Sequence, residues 1–206
     1  MVNLKKLCVG ALLATTICGM GALTPSAEAG KIEDVQARGV LLVGSTGDYK
    51  PMSYLNKETG KYEGFDVEVA ELLAQSLGVK VQYVPTTWKT LQADTMAGKF
   101  DIAMCGVTRT FAREQKMNMS HGYLTFGKTI LCRKADVMIT ETMEARRYVR
   151  DDARLAAPLL DDPFTKNHFG ILMAKGDQDW LNYVNFFMEE KDMDGTLDKL
   201  EDQYIK

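Results

Sequence analysis

Between positions 40 and 134, short apolar runs alternate with helical stripes, and this rhythm restricts the fold more than any other feature of the chain. "VLLVGS" is a continuous apolar strand. In "GFDVEVAELLAQSLG" the apolar positions Phe65, Val69, Leu72, Leu73 and Leu77 make a helical stripe, with Asp66 placed as its cap and Gly78 as its stop. "VKVQYVP" alternates Val79, Val81 and Tyr83 as a strand does, and "WKTLQADTMAG" reads as a helix closed by Gly98. "FDIAMCGV" is a buried strand, "TFAREQKMNM" a helix capped by Thr108 or Thr110, and "GKTILCRK" another strand. Strands separated by helices of this length predict an α/β layered fold with a mainly parallel sheet.

After Lys134 the rhythm breaks. "ADVMIT" reads as a strand and "ETMEARRYVR" as a helix, then residues 151–167 are loop-like, with Pro158, Pro163 and scattered acids. "HFGILMAKG" is a strand ending in a turn. "DWLNYVNFFMEE" sets Trp180, Leu181, Val184, Phe187 and Met188 on one helical face, and "GTLDKLEDQYI" closes the chain with Leu197, Leu200 and Tyr204 on a last helix.

The first 29 residues read as a secretory leader rather than as part of the fold. Lys5 and Lys6 form a positive start, residues 7–23 are apolar, and Ala27-Glu28-Ala29 is an A-x-A cleavage site. The apolar run is shorter than the roughly 20 residues a spanning helix needs. The sequence therefore predicts a periplasmic or secreted protein beginning at Gly30. The net charge of −3 argues against a nucleic-acid partner, which calls for a basic footprint. Cys105 and Cys132 fit either two buried thiols or a bridge. His121 and His168 are far apart and lack ligand spacing, so no metal site is expected.

The stretch "GSTGDYKPMSY" after the first strand raises the question of a phosphate cradle. Tyr49 stands where a phosphate loop needs its second glycine, Pro51 follows Lys50, and no helix begins there. No cofactor is expected. What remains is a strand end presenting Ser45, Thr46, Asp48 and Tyr49 at the carboxyl edge of a sheet, where open α/β sheets hold ligands.

The Tyr-x-Pro turn, "GFDVE", "FDIAMCG" and the arginine in the helix that follows resemble the family 3 extracytoplasmic solute-binding proteins. The resemblance implies a periplasmic-binding-protein-like α/β fold of two lobes closing on an amino acid or related small carboxylate. "TGDYKP…VPTTW…FDIAM…GKT…LC" is similar to one branch in particular, the secreted cyclohexadienyl dehydratases, which aromatise prephenate or arogenate.

By position, the resemblance implies that Arg113 grips the ligand carboxylate, with a planar guanidinium suited to a bidentate fork. A solvated arginine pairing with Glu114 or Asp101 is the local alternative. Thr108 would offer its hydroxyl and Gly106 its carbonyl, beside their plain roles as cap and turn. Tyr49 and Trp88 would sandwich the ligand side chain, with core packing the alternative for Trp88. Glu141 matches the acid that takes the ligand ammonium, with a first-turn helix acid as its alternative. Asp66 is expected to serve structure.

Here "TILCRK" runs directly into "ADVMIT", where the family places further strands, a Gly-rich turn and a helix. The expected organisation is one full lobe, residues 30–132 and 169–206, and a truncated second lobe, residues 133–168, with one helix, about one strand and an unpaired edge. Three readings follow: a solute-binding protein serving a membrane permease of the ABC type; a prephenate or arogenate dehydratase, with Glu141 and Asp48 as conceivable acids; or a truncated member without activity.

Overall fold

The computed structural model describes residues 30–206; the expected leader, with Cys8 and Cys18, lies outside the described residues. In chain order the elements are α1 (Lys31–Arg38), β1 (Val40–Ser45), β2 (Asp48–Tyr49), β3 (Ser53–Leu55), β4 (Tyr62–Glu63), α2 (Phe65–Leu77), β5 (Lys80–Pro85), α3 (Leu91–Met96), β6 (Ile102–Ala103), α4 (Phe111–Glu114), β7 (Asn118–Met119) and β8 (Leu124–Phe126). They continue with β9 (Lys128–Arg133), β10 (Asp136–Glu141), α5 (Thr142–Asp151), β11 (Asn167–Phe169), β12 (Leu172–Met173), α6 (Gln178–Met193) and α7 (Thr196–Tyr204).

The main sheet has the order β5-β1-β6-β12-β7. β1 lies parallel to β5 along its whole length and parallel to β6 at Val43 and Gly44. β12 enters antiparallel to both β6 and β7 through Leu172. The expected parallel sheet is therefore correct for the first half of the chain, and the returning segment adds a strand of opposite sense. Successive side chains of a strand face opposite ways. Leu41 and Val43 accordingly enter the larger core with Val69, Leu73, Trp180 and Val184, while Leu42 borders a second cluster of Leu91, Phe100, Val107 and Met117 beside α3.

Three helix readings need correction. The sequence reading contains no α1; its apolar stripe is only Ile32 and Val35, of which Val35 is buried, and it is held by the Lys31 N–H bonding Asp177 Oδ2 at 2.7 Å. Asp66 does not cap α2. Gly64 holds the cap position at φ 128°, and a Cβ there would stand 2.5 Å from the Met52 carbonyl oxygen. The helix expected over 110–119 stops at Glu114, because Asn118 and Met119 are drawn into the sheet beside β12. Thr110, not Thr108, caps α4, accepting from the Arg113 N–H.

β8 and β11 pair antiparallel, Asn167 opposite Phe126, and carry the chain out of the main body and back. Between them lies a unit richer than the one strand and one helix expected. β9 and β10 form an antiparallel hairpin, from Asp136 opposite Arg133 to Glu141 opposite Lys128, turning at Lys134 with φ 53°. The expected boundary at 132–133 falls within β9. α5 anchors the unit by burying Met143 and Ala145. β9 pairs with β10 on one edge and meets Ala156 at Cys132 on the other. β10 has no second neighbour among the described strands, and Val137, Met138 and Ile139 are 65%, 46% and 66% exposed. Both Cys105 and Cys132 are free thiols, and only Cys105 is buried.

Candidate functional site

β1 delivers the chain to a buried hydroxyl pair, Ser45 Oγ and Ser53 Oγ at 2.5 Å, which fixes the β2–β3 turn against the sheet end. That turn lifts Tyr49 over Gly106, at the end of the segment that follows β6. Gly106 has φ 69°, and a Cβ on it would stand 2.5 Å from Tyr49 Cε1, so this position requires glycine on both counts. The Gly106 N–H donates to Asp66 Oδ2 at 2.6 Å, and the Tyr123 hydroxyl donates to Asp66 Oδ1 at 2.7 Å. Asp66 is thus a buried clamp on the site's glycine turn. Burial pushes its carboxyl up to about 7 against the opposing effect of those two hydrogen bonds.

Arg113 rises from the short helix α4. Its Nη1 donates to the Thr108 carbonyl oxygen at 2.5 Å, and it pairs with neither Glu114 nor Asp101. Glu114 instead accepts from the Met119 N–H at 3.1 Å, and Asp101 is taken by Arg38 and Lys31. The local alternative for Arg113 therefore fails. The half-buried guanidinium is drawn below its ordinary pKa by burial, yet an arginine stays charged at any physiological pH.

The aromatic pair departs from the expected sandwich. The Tyr49 and Trp88 rings meet edge to face, with centroids 6.1 Å apart and planes at 72°, and Tyr49 also meets Phe169 edge-on at 6.2 Å. Trp88 is 43% exposed, which removes core packing as its role. Its Nε1–H donates to Asp48 Oδ1 at 3.0 Å.

Glu141, at the start of α5, comes from the second unit and faces this platform. It accepts from the Tyr49 hydroxyl, and its Oε1 meets Lys128 Nζ at 2.8 Å. It holds the N-cap position of α5 rather than the expected place in the first turn, and its side chain makes no capping bond there. Burial, then the nearby Glu144, raise its carboxyl to about 7. Glu144 in turn accepts from the Thr140 hydroxyl at 2.5 Å.

All six expected site residues, Tyr49, Trp88, Gly106, Thr108, Arg113 and Glu141, line one open cavity of about 360 Å³. Asp48, Lys128 and Glu144 complete its wall. Lys128 and Glu144 are absent from the sequence reading of the site. Glu144 lies three residues beyond Glu141, the N-cap of α5, a spacing that was available as a signal. Lys128 reaches Glu141 only through the hairpin register, which no local pattern reveals. The cavity thus combines two cations, three acids, two aromatic rings and a glycine turn. That set suits a small polar ligand carrying a carboxylate. Among the described residues no group of three or more histidine, cysteine or acidic side chains is arranged to hold a metal.

Residues 41–206 match the bacterial extracellular solute-binding proteins, family 3, and the chain belongs to that family. Among its relatives, the cyclohexadienyl dehydratase of Pseudomonas aeruginosa is 41% identical over 118 residues, 57% of this chain and 44% of that protein. The match thus spans less than half of the dehydratase. The L-cystine-binding protein TcyJ of Escherichia coli K12 is 25% identical over 255 aligned positions covering 98% of this chain and 95% of that protein. An ancestral cationic amino acid solute-binding protein of known structure superposes with a TM-score of 0.78 at 31% identity, over 85% of this chain and 99% of the other.

Proposed function

We propose that this chain is an exported solute-binding protein that holds an amino acid or related small carboxylate in the cavity lined by Tyr49, Arg113 and Glu141. The carrying observation is Arg113: a half-buried guanidinium in that cavity with no carboxylate of the protein's own. A buried charge calls for a partner, and a ligand carboxylate supplies it in bidentate form. Thr108 and Gly106 stand beside it as polar contacts, Tyr49 and Trp88 offer apolar surface with polar edges, and Glu141 with Glu144 provides negative charge for an ammonium. The relatives named for binding cystine and cationic amino acids support the ligand class.

On this reading the leader at residues 1–29 exports the chain, and a membrane permease of the ABC type receives the ligand. The first lobe is the main body, expected at residues 30–132 and 169–206, and the reduced second lobe, expected at residues 133–168, is taken to begin with β9, whose pairing with β10 joins Lys128 to it. The alignment with TcyJ, longer than the 206 residues of this chain, supports the reduction.

A second reading, prephenate or arogenate dehydratase, is favoured by one specific observation. Glu141 lies in the cavity with its carboxyl raised to about 7 by burial and by Glu144, against the opposing pull of Lys128 at 2.8 Å. A general acid that must protonate a leaving hydroxyl works best with a pKa near the working pH. The deciding experiment is a thermal-shift panel of amino acids, prephenate and arogenate on residues 30–206, followed by product analysis. A ligand at about 100 times its Kd stabilises by about 2.7 kcal/mol. An amino acid recovered unchanged supports the binder. Phenylpyruvate or phenylalanine formed from prephenate or arogenate establishes the enzyme. No shift with any compound, in a protein that unfolds cooperatively, overturns both.

A further inference from the structure

A second cavity, of about 470 Å³, lies on the other side of the segment that carries Arg113, between α4 and β11. Its walls bring together Arg109, Lys166 and His168, with Phe111 and Met119 as apolar surface. The backbone fixes this grouping. The Arg109 N–H bonds the His168 carbonyl oxygen at 2.9 Å, and Thr108 bridges Phe169, so the start of α4 runs beside β11. Lys166 and His168 are two residues apart along an extended segment and share a face. The Arg109 stem packs over Gly170, where a Cβ would come within 2.8 Å of Arg109 Cγ, which seats the base of the side chain.

Three further facts say what such a cavity would take. Arg109, Lys166 and His168 form no ion pair among the described residues. The one acid in the wall, Glu114, is turned to the Met119 N–H. Phe111 is 92% exposed at the rim, so its ring is free to lie against a molecule held in the cavity. In a chain whose net charge is −3, this is a local reversal of sign beside apolar surface.

We propose that the α4–β11 cavity is a second small-molecule site, distinct from the Arg113 cavity, that takes an aromatic carboxylate. The carboxylate lies between Arg109 and Lys166, with the His168 ring as an additional polar contact, and the aromatic group lies against Phe111 and Met119. Guanidinium and ammonium together give charge-assisted bonds to one anion. The ring provides the flat apolar contact that separates this ligand from inorganic phosphate or sulfate.

The test is an NMR titration of 1-naphthylacetate into residues 30–206, with neutral 1-naphthylacetamide as the isostere and inorganic phosphate as the bare anion. The expected result is saturable binding of the acid to the wild type and to Arg113→Ala alike. Affinity falls at least tenfold in Arg109→Gln/Lys166→Gln, and at least tenfold for the amide. Lys166→Gln alone, on an exposed position, weakens binding several-fold and decides the matter if the double variant does not fold. The proposal is overturned by equal binding to the charge-removed variants, by loss of binding in Arg113→Ala only, which places the acid in the other cavity, or by no saturable binding to the wild type. Phosphate competing as well as the acid removes the aromatic part of the claim.

Discussion

Lys128 and Glu141 face each other across the β9–β10 ladder, and their side chains meet at 2.8 Å inside the wall of the Arg113 cavity. The pair lies on the second unit, while the Tyr49 hydroxyl that also donates to Glu141 belongs to the first. One carboxylate therefore joins the two sides of the cavity. Glu141→Gln keeps the size and the Tyr49 contact but leaves Lys128 without its counter-charge. On the binding reading, Glu141→Gln weakens a zwitterionic amino acid about tenfold, a loss of about 1.4 kcal/mol. A carboxylate ligand that lacks an ammonium is held as well or better. Calorimetric titration of the two ligand types checks this.

Asp66 and Glu141 both carry folded-state pKa values near 7, above their ordinary carboxylate values. The folded state then holds protons that the unfolded state has released between roughly pH 4 and 7, so stability falls as pH rises through that window. Melting temperature followed across it is expected to decline toward neutral pH. Asp66→Asn removes about half of the slope, since Asp66 and Glu141 are raised to the same value and each then holds one extra proton in the folded state across most of the window. A slope unchanged in Asp66→Asn would contradict the assignment.

Gly106→Ala is expected to damage site and fold together. The left-handed backbone costs a non-glycine residue roughly 1–2 kcal/mol, and the new Cβ would collide with the Tyr49 ring at 2.5 Å. A drop in melting temperature, with lost ligand response at temperatures where the variant is still folded, is the expected pattern.

Much of the main body was legible in the sequence because its signals are local. The α2 stripe, the apolar β1 run and the glycine stops reflect periodicity and backbone freedom, and these hold in the structure. What was not legible depends on distant segments. Asp66 looks like a cap because it sits in a first turn, yet Gly64 takes that position and frees Asp66 to clamp Gly106. The end of α4 is set by Leu172, which pulls Met119 into the sheet from more than fifty residues away. Lys128 joins the site only once the hairpin register is known. The expected site residues were found through a motif resemblance, and the structure adds their convergence on one cavity.

The exposed strand β10 calls for a solubility measurement. Val137, Met138 and Ile139 lie on a strand edge without a second neighbour among the described strands, the geometry that invites edge-to-edge association. Val137→Thr with Ile139→Lys is expected to raise the concentration at which light scattering begins. Stability should change by no more than about 0.5 kcal/mol, as for other surface substitutions.

On the binding reading Arg113 is the carboxylate anchor. Its guanidinium spends only one hydrogen bond on the protein, to the Thr108 carbonyl, so its removal leaves the fold nearly intact. The direct measurement is calorimetric titration of wild type and Arg113→Ala with whichever amino acid or carboxylate stabilises the wild type most. Truncating one side of a desolvated charge pair costs about 2–5 kcal/mol, so affinity is expected to fall at least about 30-fold with the melting temperature preserved. Binding of equal strength in Arg113→Ala would contradict the account.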